Sequence, residues 1–154
     1  MPLESRFSEK LRSYMVDRMD KHQTGFVPGC GTSVNIKLLV EKLQASRREN
    51  GLCCLFVDFK SAYNTVNRER LYEIVLRNNI LTQEECDFLR IIHSRLYFLS
   101  QGKKFYFKNG VHQGSPISPA LFNIYMEDMI KKLKESTGDQ NLWYNKFYML
   151  IKIL

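Results

Sequence analysis

The chain has 154 residues, 44% hydrophobic and 25% charged, which is enough to bury a core without disulfides. Its 23 Lys and Arg against 16 Asp and Glu leave a net charge of +7, pointing toward a polyanionic partner without identifying one. No apolar run approaches about 18 residues, which argues against a membrane span. The opening MPLESRFSEK lacks the apolar core of a secretory signal, so the expectation is an intracellular protein, nuclear or organellar. Cys30, Cys53, Cys54 and Cys86 have no C-x-x-C spacing and read as reduced, packed thiols rather than a zinc site or disulfide framework.

In chain order, Phe7, Leu11, Tyr14/Met15 and Met19 recur at helical spacing and predict an amphipathic helix over 4–20. Gly25 to Gly31 is too rich in Gly and Pro for regular structure. Thr32 or Ser33 then caps a helix whose apolar stripe is Ile36, Leu39/Val40 and Leu43, ending in the polar run Ser46 to Gly51. Leu52 to Phe59, apolar except for Asp58, reads as a strand buried on both faces. Leu71, Ile74/Val75 and Asn78 mark the next helix. Thr82 and Glu85 form a capping box for another, with Leu81 and Cys86 as a staple. The period turns strand-like around Ser100-Gln101-Gly102, predicting a hairpin through Lys108. Ser118-Pro119 starts a helix running to 136, and Trp143 to Leu154 is aromatic and β-branched enough for a strand.

Asp58 is the most informative residue, because a carboxylate at the end of a buried strand is costly unless something cationic meets it. The plainer reading is an Asp that caps the following turn. Its surroundings say more. Tyr63 follows in Asp58-Phe59-Lys60-Ser61-Ala62-Tyr63, and the second Gly-rich block Gly110-Val111-His112-Gln113-Gly114-Ser115-Pro116-Ile117-Ser118-Pro119-Ala120-Leu121-Phe122 comes later. Gln23-Thr24-Gly25-Phe26, the block from Phe56-Val57-Asp58-Phe59 through Leu71, and the block from Gly110 through Met126 resemble the reverse transcriptases of non-LTR retroelements and group II introns, and the likeness extends over most of the chain.

That resemblance implies an α/β (α+β) fold, the fingers and partial palm of a right-hand polymerase with a small, mainly antiparallel sheet backed by helices. Residues 1–50 would be partial fingers and 51–154 partial palm. One sheet would hold the strands at Asp58, 103–108 and 143–150, backed by helices at 67–79 and 119–136. It also implies RNA-directed DNA synthesis on a template–primer, with two Mg²⁺ ions about 3.5–4 Å apart stabilising the attacking and leaving oxygens. Asp58 would be the catalytic carboxylate on the metals, and the Phe59 carbonyl would help hold the nucleotide-side ion. Tyr63 would pack under the sugar and exclude a 2′-hydroxyl, unless it is an ordinary core aromatic. Gln113 and Gly114 would form the turn beside the template–nucleotide pair, where Gly permits close backbone approach. Asn64, where many relatives have Asp, reads as a helix-start residue, and His112 as an exposed turn histidine.

Between Tyr97 and Lys108, five aromatic residues interleave with Lys103, Lys104 and Lys108 and no acid. Such a segment suits stacking and phosphate contact. The expectation is that most rings are core and that the lysines touch nucleic acid.

The family's Tyr-x-Asp-Asp does not occur in the chain. Tyr148 is followed by Met149-Leu150-Ile151 where x-Asp-Asp belongs, which fits a truncated or frame-shifted reading. Val27 stands where Arg is frequent, and neither the basic opening of the fingers nor a thumb is expected. The chain alone is therefore expected to be inactive, with Mg²⁺ bound weakly or not at all. A second polypeptide would have to supply the rest of the palm and the thumb. The alternative is a non-catalytic nucleic-acid-binding or structural subunit of a ribonucleoprotein complex.

Overall fold

A computed structural model describes residues 3–20, 23–27, 29–46, 53–136 and 147–152; for 53–58 and 147–152 it describes the backbone alone. Helix α1 (Leu3–Arg18) forms on the predicted stripe, with Phe7, Leu11 and Met15 all buried. Phe7 stacks on Phe88 of α5 (Gln83–Ser94) at 5.9 Å between ring centroids, and Lys10 pairs with Glu85. Helix α2 (Thr32–Ser46) has Thr32 as its first helical residue, with the Val34 N–H donating to the Gly31 carbonyl at 3.0 Å, so the chain enters the helix at Gly31 and not at the expected Thr32 or Ser33. Its apolar stripe stays exposed, with Ile36 at 61% and Leu43 at 44%.

Strand β1 (Cys53–Asp58) occupies the apolar run and is followed by a single helical turn, α3 (Ala62–Thr65). Asn64 lies inside that turn instead of starting a helix. The capping it was expected to do falls to Asn67, whose side chain accepts the Arg70 N–H at the start of α4 (Arg68–Arg77). The α5 capping box is complete: Thr82 Oγ1 accepts from the Glu85 N–H at 3.3 Å, and the Glu85 carboxylate accepts from the Thr82 N–H at 2.9 Å. Leu81 and Cys86 are both buried beneath it. Strands β2 (Tyr97–Ser100) and β3 (Lys103–Tyr106) join through Gln101-Gly102, both at positive φ, as a two-residue turn that matches strand twist requires. Helix α6 (Ser118–Ser136) and β4 (Phe147–Lys152) complete the described elements.

Helix α6 packs on α1 and α4, and α4 on α5. Leu11, Leu71, Ile74, Leu89, Leu121 and Phe122 fill the space between them. Asp128 of α6 binds Arg70 at 3.0 Å and also Arg77, joining α6 to α4.

The α/β class holds, but the strands divide differently from the expectation. Among the described residues they form two separate two-stranded sheets, β1–β4 and β2–β3. The hairpin is antiparallel, whereas β1 and β4 run parallel, with Cys54 opposite Tyr148 and Asp58 opposite Lys152. A parallel pair needs a long crossover, and the intervening chain supplies one through its helices. The thiols also differ from one another. Cys86 is buried, and its burial pushes the thiol pKa up, but Cys30 is exposed and not packed.

Candidate functional site

The second and third sequence blocks meet at α3. After β1, Ser61 turns the chain through a left-handed conformation (φ 54°), and its carbonyl accepts the Asn64 N–H at 2.9 Å. This turn presents Tyr63, whose half-buried ring stacks on Phe122 of α6, centroids 5.0 Å apart and planes 21° apart. Burial raises the phenol pKa, so Tyr63 keeps its proton at neutral pH.

The loop carrying Gln113-Gly114 is seated against the same turn. The Gly110 N–H donates to the Val66 carbonyl at 2.7 Å and the Val111 N–H to the Tyr63 carbonyl at 2.9 Å. A Cβ on Gly110 would lie 2.9 Å from Asn64 Cα and 2.9 Å from the Tyr63 oxygen, at a φ of +88° that side chains rarely adopt. Gly110→Ala is therefore expected to cost about 1–3 kcal/mol of folding stability. Urea titration measures it, and an unchanged midpoint would show that the seat is not tight. Gly114, at φ +97°, has open space where its Cβ would be.

Tyr63, Gln113, Gly114, Ser115, Ser118 and Pro119 line one cleft of about 350 Å³. The structure thus brings together three of the sequence-predicted residues, Tyr63 with Gln113 and Gly114, across fifty positions of sequence. Asp58 closes β1, and its carboxylate lies outside the described side chains. Phe59 packs, partly buried, against the core. Among the described residues no group of three or more His, Cys, Asp or Glu side chains is placed to hold a metal. Asp128 is taken up by Arg70, Arg77 and Lys132; burial alone would raise its carboxyl, but Arg77 and Arg70 hold it below the usual range.

The first block docks on the third. Gln23 Nε2 donates to the Asn123 carbonyl at 3.1 Å, and Asn123 Nδ2 donates to the Gly25 carbonyl at 2.5 Å. Asn123 is 1% exposed, so this link sits inside the protein.

Lys103, Lys104 and Lys108 stand apart from this cleft lining, exposed on the hairpin and beyond its end. The hairpin rings depart from expectation. Tyr97, Phe98, Phe105, Tyr106 and Phe107 are between 43% and 60% exposed instead of core. Both faces of this hairpin are open, so alternation gives neither set of rings a core to enter.

The least anticipated site residue is Arg68, which is 7% exposed. Its Nε donates to the Gly110 carbonyl at 2.8 Å, and its Nη1 donates to the carbonyls of His93 at 2.9 Å and Phe107 at 2.7 Å. It therefore ties the end of α5, the end of the hairpin and the root of the Gln113-Gly114 loop to α4. No spacing signal marks it, because its partners lie 25 to 42 residues away.

Residues 2–149 match the family model described as reverse transcriptase (RNA-dependent DNA polymerase). The chain is 29% identical over 126 residues to the retrovirus-related Pol polyprotein from type-1 retrotransposable element R2 of Nasonia vitripennis, covering 78% of the chain and 12% of that protein. It is 30% identical over 125 residues to the polyprotein of the same description from Popillia japonica, covering 75% of the chain and 17% of that protein. No solved structure matches. With its second and third sequence blocks lining one cleft, its first block docked on the third, and a family match over nearly its whole length, the chain belongs to the reverse transcriptase family, and its relatives are of the non-LTR retroelement kind.

Proposed function

We propose that the cleft is the place where an incoming deoxynucleotide meets a template base in RNA-directed DNA synthesis, with 1–50 as part of the fingers and 51–154 as part of the palm. The observation that carries this reading is the shared lining of Tyr63, Gln113 and Gly114. Tyr63, backed by Phe122, offers a fixed aromatic surface under a sugar, where a 2′-hydroxyl would meet the ring. Gln113 supplies an amide and Gly114 an unobstructed backbone beside the template–nucleotide pair. Mg²⁺, when bound, would neutralise charge at the reacting phosphate. Asp58 and the Phe59 carbonyl, an oxygen-only pair, are the groups proposed to hold it.

One carboxylate cannot fix two ions, and Asp128 is already neutralised by arginines. That favours a second reading for these residues taken alone, a nucleic-acid-binding unit without catalysis. The 154 residues contain no Tyr-x-Asp-Asp, so the purified chain is expected to give no primer extension on an RNA template with Mg²⁺ or Mn²⁺. Mixing it with a fragment bearing Tyr-x-Asp-Asp and a thumb is expected to restore extension. Asp58→Asn then abolishes the product, and Tyr63→Ala mainly loses discrimination against ribonucleotides. Robust synthesis by the chain alone overturns the assignment of its missing carboxylates. If the mixture stays inactive and the chain also fails to bind template–primer, the polymerase reading falls.

A further inference from the structure

We propose that the Phe face of the 97–107 hairpin is a stacking platform for the bases of a single-stranded nucleic acid; the proposal rests on the nucleic-acid reading above and gives the hairpin a part in it. Pairing register and strand alternation sort the side chains into two faces. Tyr97 opposite Tyr106 and Leu99 opposite Lys104 form one; Phe98 opposite Phe105 and Ser100 opposite Lys103 form the other, which Phe107 extends.

The faces are chemically unequal. On the Tyr face, the Lys104 ammonium sits 4.5 Å from the Tyr97 ring centroid and occupies it. On the Phe face, the Phe98 ring lies 5.1 Å from Phe105 and 5.4 Å from Phe107, and all three are between 43% and 47% exposed. Three apolar rings held in contact with one another and open to water form a surface that a flat π system covers well.

Charge selects the occupant. No Asp or Glu occurs between Asp87 and Glu127, a stretch that carries Arg90, Arg95, Lys103, Lys104 and Lys108. Arg90 is paired with Glu69, but Lys103, Lys104 and Lys108 are exposed and form no ion pair with a described residue. An apolar protein partner has no need of this acid-free surround. A strand that presents bases to the rings and phosphates to the lysines uses both features. Single strands fit and duplexes do not, since paired bases are already stacked.

The test is fluorescence anisotropy at low salt on the whole chain. The probes are a labelled oligothymidylate and an abasic strand of the same length and phosphate count. Wild type is expected to bind the base-bearing strand about tenfold more tightly, or better. The double variant Phe98→Ala, Phe105→Ala is expected to bind both strands with the affinity that wild type has for the abasic one. Phe105→Leu keeps the apolar bulk, guards against a hairpin that simply falls apart, and is expected to lose most of the preference too. Lys103→Glu with Lys104→Glu is expected to weaken both strands alike. Equal affinity of wild type for the two strands, or no binding to either at low salt, overturns the platform, while the cleft reading is decided separately by primer extension with the added fragment. A preference that survives both Phe variants also overturns the platform, as does sedimentation showing a Phe-dependent dimer with no base preference.

Discussion

Arg68→Met is expected to destabilise the chain by about 3–5 kcal/mol, a large part of what a domain this size has available. Three carbonyls, of His93, Phe107 and Gly110, lose a charged donor at once, at sites where water does not readily replace it. Burial lowers the Arg68 pKa, yet a guanidinium starts so high that the group stays charged at neutral pH. Its fork shape explains how a single side chain reaches carbonyls from three segments. Arg68→Lys keeps the charge but concentrates its donors on one nitrogen, and it is expected to recover only part of the loss. Urea denaturation of the three proteins measures this. A loss under about 1 kcal/mol for Arg68→Met would show that the carbonyls find other donors.

Acid is expected to unfold the chain early, through His93. The ring is 3% exposed, its Nδ1 lies 2.7 Å from the Tyr72 hydroxyl, and burial, then the Arg68 charge, push its pKa down from 6.5 to about 4. Burial likewise pushes Tyr72 up to about 12, so the pair is neutral on both sides. The unfolded chain protonates this histidine near its ordinary value, and the folded chain does not until about pH 4. The unfolded state therefore binds the extra proton between those values. Stability from this group is complete above pH 6.5 and falls as pH drops toward 4, by about 3 kcal/mol in all, with no further loss below. Glu85 and Asp128, whose pKa values are lowered, begin to lose their contributions as pH falls below their ordinary values of 4.5 and 3.8, outside the range between pH 6.5 and 5. His93→Gln does not titrate and should flatten the slope between pH 6.5 and 5. An unchanged slope in that variant would assign the acid sensitivity to another group.

Features encoded by neighbouring residues were legible before any coordinates. The Thr82–Glu85 box and the hairpin expected around Ser100-Gln101-Gly102 each depend on neighbouring positions, and both form. Tyr63, Gln113 and Gly114 were named from the resemblance, and they do line one cleft. What escaped depends on distant partners. Arg68 has no mark in the sequence, because nothing local announces which carbonyls it will meet. Gly110 carried no role until the backbone of Asn64 was found beside it. Most of the hairpin rings were expected in the core, but aromatic content cannot say whether anything covers a strand face, and none of the five is buried. The direction of β4 against β1 was equally hidden, since it is set by the path of the crossover and not by the strands themselves.

Two-stranded hairpins are marginal in water, and β2–β3 has no buried residue of its own to hold it. Its order comes from the root. There the Phe107 N–H donates to the Leu96 carbonyl at 3.3 Å, and the Phe107 carbonyl accepts from Arg68 at 2.7 Å. Fraying that starts at Gln101-Gly102 breaks exposed ring contacts such as Phe98 with Phe105, but reaches no buried group until it arrives at Phe107. There the next step strips an acceptor from a buried cation that also holds Gly110 and His93. Local opening stops at that residue and becomes cooperative loss of the surrounding core. The hairpin is thus a gradient of stability along its own length, loose at the tip and as durable as the domain at its root.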